Sequence, residues 1–203
     1  MTSLLRSLIP ASARFALRKW RQERQRERKS PQMLWGYLDP SGAWRANTRI
    51  SDTVFIYHPE RVAIADNVFV WHYSILDGTG TIEIAEGAQI GAWVGIFTHS
   101  SHIAIRLYGS HYSEVPESEK RGYQIKKVTI GRYAFIGAGA KIMPGSMIGN
   151  GALVSAGAIV SGVVSDYQIV SGCPAIEVGD TRKLDARYLK DPQVEKWYAE
   201  WQE

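Results

Sequence analysis

Aliphatic residues recur along the middle of the chain with a period of six. Ile64, Val70 and Leu76 form one run and Ile84, Ile90 and Ile96 a second. In the third, Ile130, Ile136, Ile142, Ile148, Val154 and Val160, every position is Ile or Val. The residue that follows is often small, as at Ala65, Ala85, Gly91, Gly131, Gly137, Gly149, Ser155 and Ser161. From Ala134 onward the fourth residue after each aliphatic is small or β-branched (Ala134, Ala140, Ser146, Ala152, Ala158, Val164). An amphipathic helix would repeat its apolar positions about every 3.6 residues, and a half-buried strand every second residue. A period of six with small residues at fixed offsets suits a short strand, a tight turn and another short strand. Three such units close one triangular coil, with the aliphatic side chains stacked inside. The competing arrangement, an antiparallel sandwich of short strands, would have to hold this phase over six consecutive units by chance. The pattern therefore predicts an all-β solenoid whose coils bury their edges against their neighbours.

The phase also locates the interruptions. Two residues are inserted around Gly78-Thr79-Gly80, and a long excursion without repeats runs from Thr98 to Lys127. Loops of that length are uncommon in compact domains and tend to carry function. If the excursion returns to the corner it left, Ile84 stacks with Ile130 and Ile148, Ile90 with Ile136 and Val154, and Ile96 with Ile142 and Val160. Three parts follow: a basic N-terminal helical or extended segment over residues 1–45, the coil domain over 46–178 with its excursion at 98–127, and a C-terminal capping helix over 179–203. The last part places Val194, Trp197, Tyr198 and Trp201 on one side of the stretch 187–203, because open coil ends need covering.

Charge adds an asymmetry to this picture. The net charge is +4, yet residues 1–30 carry nine Lys/Arg against two acids, a net of +7, so the remainder is −3. A mildly acidic body argues against a general nucleic-acid surface and leaves the basic head as the candidate polyanion contact. Leu4, Leu5, Leu8, Phe15 and Leu17 could line one face of a helical stretch there. That stretch could pack on its own oligomer or contact a membrane surface near a lipid-linked substrate. It could also serve as an import sequence, although Arg6, Pro10 and Arg14 interrupt any apolar core. No run approaches the ~18 apolar residues of a membrane span, and the expectation is a cytoplasmic protein. The single cysteine, Cys173, excludes an intrachain disulfide, fits a reducing compartment, and is read as buried packing.

The stretch IGRYAFIGAGAKIMPGSMIGNGALVSAGAIV, followed by QIVSGCPA, resembles the C-terminal signature of hexapeptide-repeat acetyltransferases. Its relatives there are the maltose, galactoside and nodulation acetyltransferases and the polysaccharide O-acetyltransferases. DNVFVWHYSILDG and IFTHSSH upstream resemble the polysaccharide branch, and the likeness covers about residues 50–178. It implies a left-handed parallel β-helix, a hand that the right-handed bias of crossovers would not have suggested. It also implies a homotrimer with sites between subunits, and acyl transfer from acetyl-CoA as co-substrate directly to the acceptor.

The family's general base is a loop histidine, and the matching position is His99, where the regular coil gives way to the excursion. Imidazole suits that role, because a sugar hydroxyl is a weak nucleophile near neutrality and a positioned base can take its proton as the C–O bond forms. His99 could instead be a loop histidine bonded to backbone. His102 is an alternative base, or contacts the acceptor or orients His99. His72 matches a histidine of the polysaccharide branch. It falls at another corner one coil earlier, so it either binds acceptor across an interface or is structural. Trp71, Tyr73 and Trp93 are candidates for stacking on a sugar ring, with burial in a subunit contact as the competing fate. For CoA the resemblance points to the small-residue turns Gly137-Ala138 and Ser155-Ala156 and to the turn at Ser161. The sequence departs from the family where Lys and Arg are usual, having Gly162 and Ile176, so Arg182 or Lys183 become candidates for the 3′-phosphate. His99, His102 and His111 have a spacing reminiscent of metal ligands, but the coils from Ile130 to Val160 carry no histidine, and no metal is expected.

The acceptor implied is a carbohydrate hydroxyl on a capsule, O-antigen or exopolysaccharide building block. Acylation of a small amine or amino-sugar nucleotide is a second reading, and a catalytically silent β-helix scaffold a third.

Overall fold

In a computed structural model of the chain, residues 30–202 are described, together with Ala13, Ala16, Leu17, Lys19, Trp20, Arg21 and Arg24. The chain divides into two units, Met1–Gln32 and Met33–Glu203. The seven described residues before Ser30 are helical; Leu4, Leu5, Leu8 and Phe15 lie outside the described residues.

The second unit starts with an antiparallel hairpin, β1 (Met33–Leu38) and β2 (Trp44–Ser51). The chain division thus falls after Gln32, earlier than residue 45, because β1 pairs with β2. From β2 onward the chain visits three parallel sheets in rotation. The first face holds β2, β5 (Phe69–Val70), β8 (Gln89–Ile90), β13 (Phe135–Ile136), β16 (Leu153–Val154) and β19 (Gln168–Gly172). On the second lie β3 (Phe55–Tyr57), β6 (Ile75–Asp77), β9 (Gly95–Ile96), β14 (Lys141–Ile142) and β17 (Ile159–Val160). The third is built from β4 (Val62–Ile64), β7 (Ile82–Ile84), β12 (Val128–Ile130), β15 (Met147–Ile148) and β18 (Val163–Val164). The chain therefore passes from face one to two to three and back, and each strand pairs with its equivalents in the neighbouring coils.

The period of six is the cause. All twelve aliphatic positions of the three runs are buried, and they stack in the expected columns. Ile130 pairs with Ile84 and Ile148, Ile136 with Ile90 and Val154, and Ile142 with Ile96 and Val160. Ala134, Ala140, Ser146, Ala152 and Ala158 are buried too, filling the narrow space beside each turn. Ile136, fully buried at the middle of its column, tests this packing. Ile136→Ala should cost roughly 2–5 kcal/mol, the usual range for truncating a core aliphatic, read as a lower urea midpoint with an unchanged slope.

The small residue after each aliphatic answers to crowding between coils. A Cβ built on Gly137 would lie 2.4 Å from the Ala156 nitrogen, a backbone atom that cannot step aside. Positive φ falls two residues later still. Gly139 and Gly157 occupy the left-handed region in the later coils, while Tyr73 (φ 60°) and Trp93 (φ 55°) occupy the matching positions in the earlier ones.

The two-residue insertion at Gly78–Gly80 forms a 3-10 turn. The excursion leaves through β10 (His99–Ser100) and contains helix α1 (Ala104–Tyr108). It returns through β11 (Gln124–Ile125), which pairs antiparallel with β10 and closes the neck. After β17 the repeat shortens, and Val164 rather than residue 166 stacks on Ile148. Strand β20 (Ala175–Asp180) then folds back antiparallel on β19. Cys173 sits at that hairpin's turn and is exposed, contrary to the packing role expected for it. The hairpin lies past the last coil, so no further coil covers it; the Cys173–Pro174 peptide bond is cis.

Helix α2 (Thr181–Asp185) leads to α3 (Pro192–Gln202), which starts only at Pro192, where the Asp191 carboxylate accepts from the amides of Gln193 and Val194. Trp201 packs on Tyr133 and Tyr167 (ring centroids 4.8 and 5.8 Å), whereas Val194 and Trp197 of the expected apolar side remain exposed.

Candidate active site

At the corner between the second and third faces, Leu76 stacks against Ile96. The residues that follow them, Asp77 in one coil and Phe97-Thr98-His99 in the next, are thereby brought side by side. Asp77 is buried and accepts hydrogen bonds at both oxygens. Oδ1 receives the Thr79 hydroxyl (2.6 Å) and amide (3.2 Å), and Oδ2 receives the Thr98 amide (3.0 Å). Thr98, also buried, donates its hydroxyl to the Asp77 carbonyl (2.6 Å) and accepts from the Gly80 amide (2.7 Å). The inserted Gly-Thr-Gly turn thus builds a cradle for one carboxylate.

His99 reaches into this cradle. Its Nδ1 lies 2.6 Å from Asp77 Oδ2, and its side chain is 38% exposed. Burial alone pushes the Asp77 carboxyl up, but the hydrogen bonds from Thr79, Thr98 and His99 together outweigh it and hold it at about 2. The carboxylate is therefore ionised near neutrality, which makes Nδ1 the protonated ring nitrogen and leaves Nε2 to accept a proton. Tyr123, from the returning limb of the excursion, stacks on the imidazole with ring centroids 6.0 Å apart. Burial, reinforced by the negative charge of Glu117, raises the Tyr123 hydroxyl above its ordinary value.

A depressed carboxyl is also a stability statement. Asp77 titrates below an ordinary carboxylate at about 3.9, so its contribution is fully present above that value and is lost as pH falls toward about 2. On the order of 2 kcal/mol should disappear between roughly pH 5 and pH 2. Urea unfolding across that window should show the loss in the wild type and a smaller one in Asp77→Asn.

The other candidates are distributed more widely. His102 is exposed, with Nδ1 2.8 Å from the Ser100 hydroxyl, and contacts neither His99 nor Asp77. His111 pairs with Glu114 on the outside of the excursion. Among the described residues no group of three His, Cys, Asp or Glu could hold a metal ion. His72 lies at the corner between the first and second faces, with Nδ1 2.7 Å from the buried Ser51 hydroxyl. Trp71, Tyr73 and Trp93 share that corner and are exposed, and Tyr73 and Trp93 stack in parallel at 6.1 Å.

Gly137-Ala138 and Ser155-Ala156 continue the same corner into later coils. Their amides differ from those at the corner between the third and first faces. There Arg132 N donates to Asn150 Oδ1, and Asn150 N to Asp166 Oδ1. Among the described residues, the Ala138 and Ala156 amides have no protein acceptor, and both residues are exposed. The corner thus offers a short ladder of open donors. Ser161 is exposed at the shortened turn after β17. Arg182 lies beside the other corner: its guanidinium is bonded to the Asp180 carboxylate and lies over Tyr167, and the neighbouring Thr181 hydroxyl donates to Gly151 O. Lys183 is exposed on the same short helix. Within one chain the second face separates His99 from the Ala138–Ala156 ladder. Asp77, the partner that orients His99, is a site residue that the sequence pattern does not single out.

Comparison with known proteins fits this architecture. Residues 127–162 match the bacterial transferase hexapeptide family (six repeats). No curated protein compared with the chain matches it. Among solved structures, a hexapeptide-repeat acetyltransferase from Vibrio cholerae is similar at 22% identity and a TM-score of 0.56, over 64% of this chain and 69% of that one. A maltose O-acetyltransferase from Clostridium difficile 630 is similar at 22% identity and a TM-score of 0.55, over 64% of each chain. An N-acyltransferase, AntD, from Bacillus cereus, solved with dTDP and 3-hydroxybutyryl-CoA, matches at 21% identity and a TM-score of 0.51, over 72% of this chain and 89% of its own. At these identities the likeness establishes the hexapeptide-repeat fold.

Proposed function

We propose that this chain is an acetyl-CoA-dependent O-acetyltransferase with the left-handed coil of its structural neighbours, acting on a carbohydrate hydroxyl. The observation that carries the reading is the Asp77–His99 pair at the mouth of the excursion, whose geometry leaves Nε2 as a proton acceptor. In the reaction, Nε2 takes the proton of the acceptor hydroxyl as its oxygen attacks the thioester carbonyl. The tetrahedral intermediate then collapses, the C–S bond breaks, and the departing CoA thiolate recovers the proton from the imidazolium. Asp77 stabilises that imidazolium and fixes its tautomer, as an orienting carboxylate does in other histidine-based sites.

The open amides of Ala138 and Ala156 suit the carbonyls of a pantetheine arm, and an amide at this corner could stabilise the oxyanion. Ser161 and Lys183 extend the candidate CoA contacts, while Arg182, committed to Asp180, is the weaker choice for the 3′-phosphate. Since one chain separates base from ladder, the complete site forms between subunits of a homotrimer, the acceptor lying near His102 and, across the interface, His72, Trp71, Tyr73 and Trp93. The outer side of the second face supports such an assembly by exposing Phe55, Tyr57 and Ile75. The acceptor class is a building block or polymer of a capsule, O-antigen or exopolysaccharide. The enzyme works in the cytoplasm, and residues 1–30 provide a peripheral contact with anionic lipid.

Release of free thiol from acetyl-CoA, followed over a panel of nucleotide sugars, oligosaccharides and amino sugars, tests the reading. Acceptor-dependent release is expected with hydroxyl acceptors. Release with amines alone would move the activity to N-acylation, and none with any acceptor would favour a silent scaffold. Sedimentation should give a trimer; a concentration-independent monomer would remove the interfacial site.

A further inference from the structure

The most exposed large apolar side chains near the start of the second unit sit together on the β1–β2 hairpin. Leu34, Trp35, Leu38 and Trp44 are 54%, 66%, 62% and 64% exposed. Leu38 and Trp44 are direct cross-strand partners beside the tip, and Trp35 is paired with Arg49, whose guanidinium lies over its ring at 5.0 Å.

The tip that presents them is rigid. Asp39 is buried beneath the turn. It accepts from the Ser41 amide and hydroxyl, the Ala43 amide and the Arg45 guanidinium. The Ser41 hydroxyl leads these bonds, which prevail over burial and hold the carboxyl at about 2. Just below the tip, where Tyr37 pairs with Arg45, Tyr37 anchors β1 by donating to the Val62 carbonyl (2.9 Å). Such a turn loses little conformational freedom when it docks.

The preceding sequence bears on what covers it. The hairpin begins three residues after a segment holding nine Lys/Arg against two acids. Tryptophans that follow closely in sequence on a dense run of cations match an interface with an apolar interior and anionic headgroups. We propose that the β1–β2 hairpin is a membrane anchor: Trp35, Leu38 and Trp44 enter the headgroup–acyl boundary of an anionic bilayer while residues 1–30 neutralise the lipid charge. The proposal rests on the contact assigned above to residues 1–30 and adds a salt-resistant apolar component to it. Cations alone would give binding that salt abolishes. Side chains buried in the acyl boundary retain part of their contribution when charge is screened.

The test is co-sedimentation of the full chain with vesicles. One set contains roughly one-third phosphatidylglycerol in phosphatidylcholine, the other phosphatidylcholine alone, each at low and high salt. Wild type should bind the anionic vesicles and keep part of that binding in high salt. The variant Trp35→Ser/Leu38→Ser/Trp44→Ser should bind at least about tenfold more weakly at low salt and lose all binding at high salt. If wild type binds both vesicle types and the variant neither, the hairpin anchor stands and the role of the cations falls. If wild type and variant bind alike and salt releases both, the cations stand and the anchor is overturned. Absence of wild-type binding overturns both. Should the substitutions instead lower the oligomeric mass in sedimentation and leave vesicle binding intact, the hairpin is a contact between copies and the proposal fails. A measurement independent of the variant's folding is quenching of wild-type tryptophan emission by lipids brominated along the acyl chain, compared with the milder Trp35→Phe/Trp44→Phe. Quenching should be present in wild type and reduced in the double variant; equal quenching contradicts insertion.

Discussion

His99→Ala should lower turnover by roughly 10²–10⁴-fold, the span usual for loss of a general base, and leave acetyl-CoA binding almost unchanged. The separation follows from the architecture. The imidazole is set by Asp77 at the corner between the second and third faces, whereas the open amides of Ala138 and Ala156 lie at another corner. Removing the ring takes away the proton acceptor without touching the ladder assigned to the cofactor. Single-turnover rates beside calorimetric titration with CoA distinguish the two effects. His102→Ala supplies the comparison: that ring is exposed and, among the described residues, its hydrogen bond is to Ser100, so its loss should at most weaken acceptor binding and leave the single-turnover rate at saturating acceptor little changed. If His102→Ala is the inactive variant and His99→Ala retains activity, the base is misassigned.

Asp77→Asn should approach the same loss, roughly 10²–10⁴-fold in turnover, with a stability cost as well. Both carboxylate oxygens accept hydrogen bonds, from Thr79 on one side and from Thr98 and His99 on the other. An asparagine must turn its NH2 toward one of these sets of donors. Facing Thr98 and His99, it leaves the Thr98 amide without an acceptor and favours the imidazole tautomer with the proton on Nε2, which can no longer act as base. Facing Thr79, it opposes two donors instead. An unsatisfied buried donor costs about 1–3 kcal/mol, so the midpoint of thermal unfolding should fall. Calorimetric titration with CoA beside single-turnover rates separates a positioning role from a merely structural one. Loss of the orienting carboxylate should lower the single-turnover rate and leave the CoA affinity of the folded protein unchanged, whereas simple destabilisation would lower active-site occupancy and rate together.

Much of the fold could be read from the spacing of Ile and Val, because each aliphatic column is a repeated local decision. Once Ile84, Ile130 and Ile148 share a phase, their pairing follows. The small residues were legible as a pattern but not as two separate demands. Gly137 is needed because the next coil's backbone passes within a Cβ's reach, whereas the left-handed conformation falls two residues later. There Tyr73 and Trp93 show that glycine is dispensable. Residues beyond the last coil were misjudged for want of any periodic constraint. Cys173 lies at a hairpin turn and is exposed, and of α3 only Tyr198 and Trp201 are half-buried.

The site shows the same division. His99 stood out at the break in the repeat, but Asp77 lies a full coil earlier, inside what the spacing marked only as an insertion. One signal could have found it. Stacking Leu76 under Ile96 places Asp77 next to Phe97-Thr98-His99 without further assumption. Arg182 illustrates the reverse case. Nothing in its sequence neighbourhood announced that Asp180 would engage its guanidinium, or that α2 would lie at the corner away from the open amides.

The claim that this fold transfers an acyl group to a hydroxyl is tested most directly by the bond formed. With acetyl-CoA carrying a labelled carbonyl carbon and the acceptor that supports thiol release, carbon NMR of the product should show a new ester carbonyl. Mild base should remove it, and it should be missing when His99→Ala replaces the wild type. A base-stable amide carbonyl, or label recovered only as acetate and unreacted acetyl-CoA, would contradict the claim.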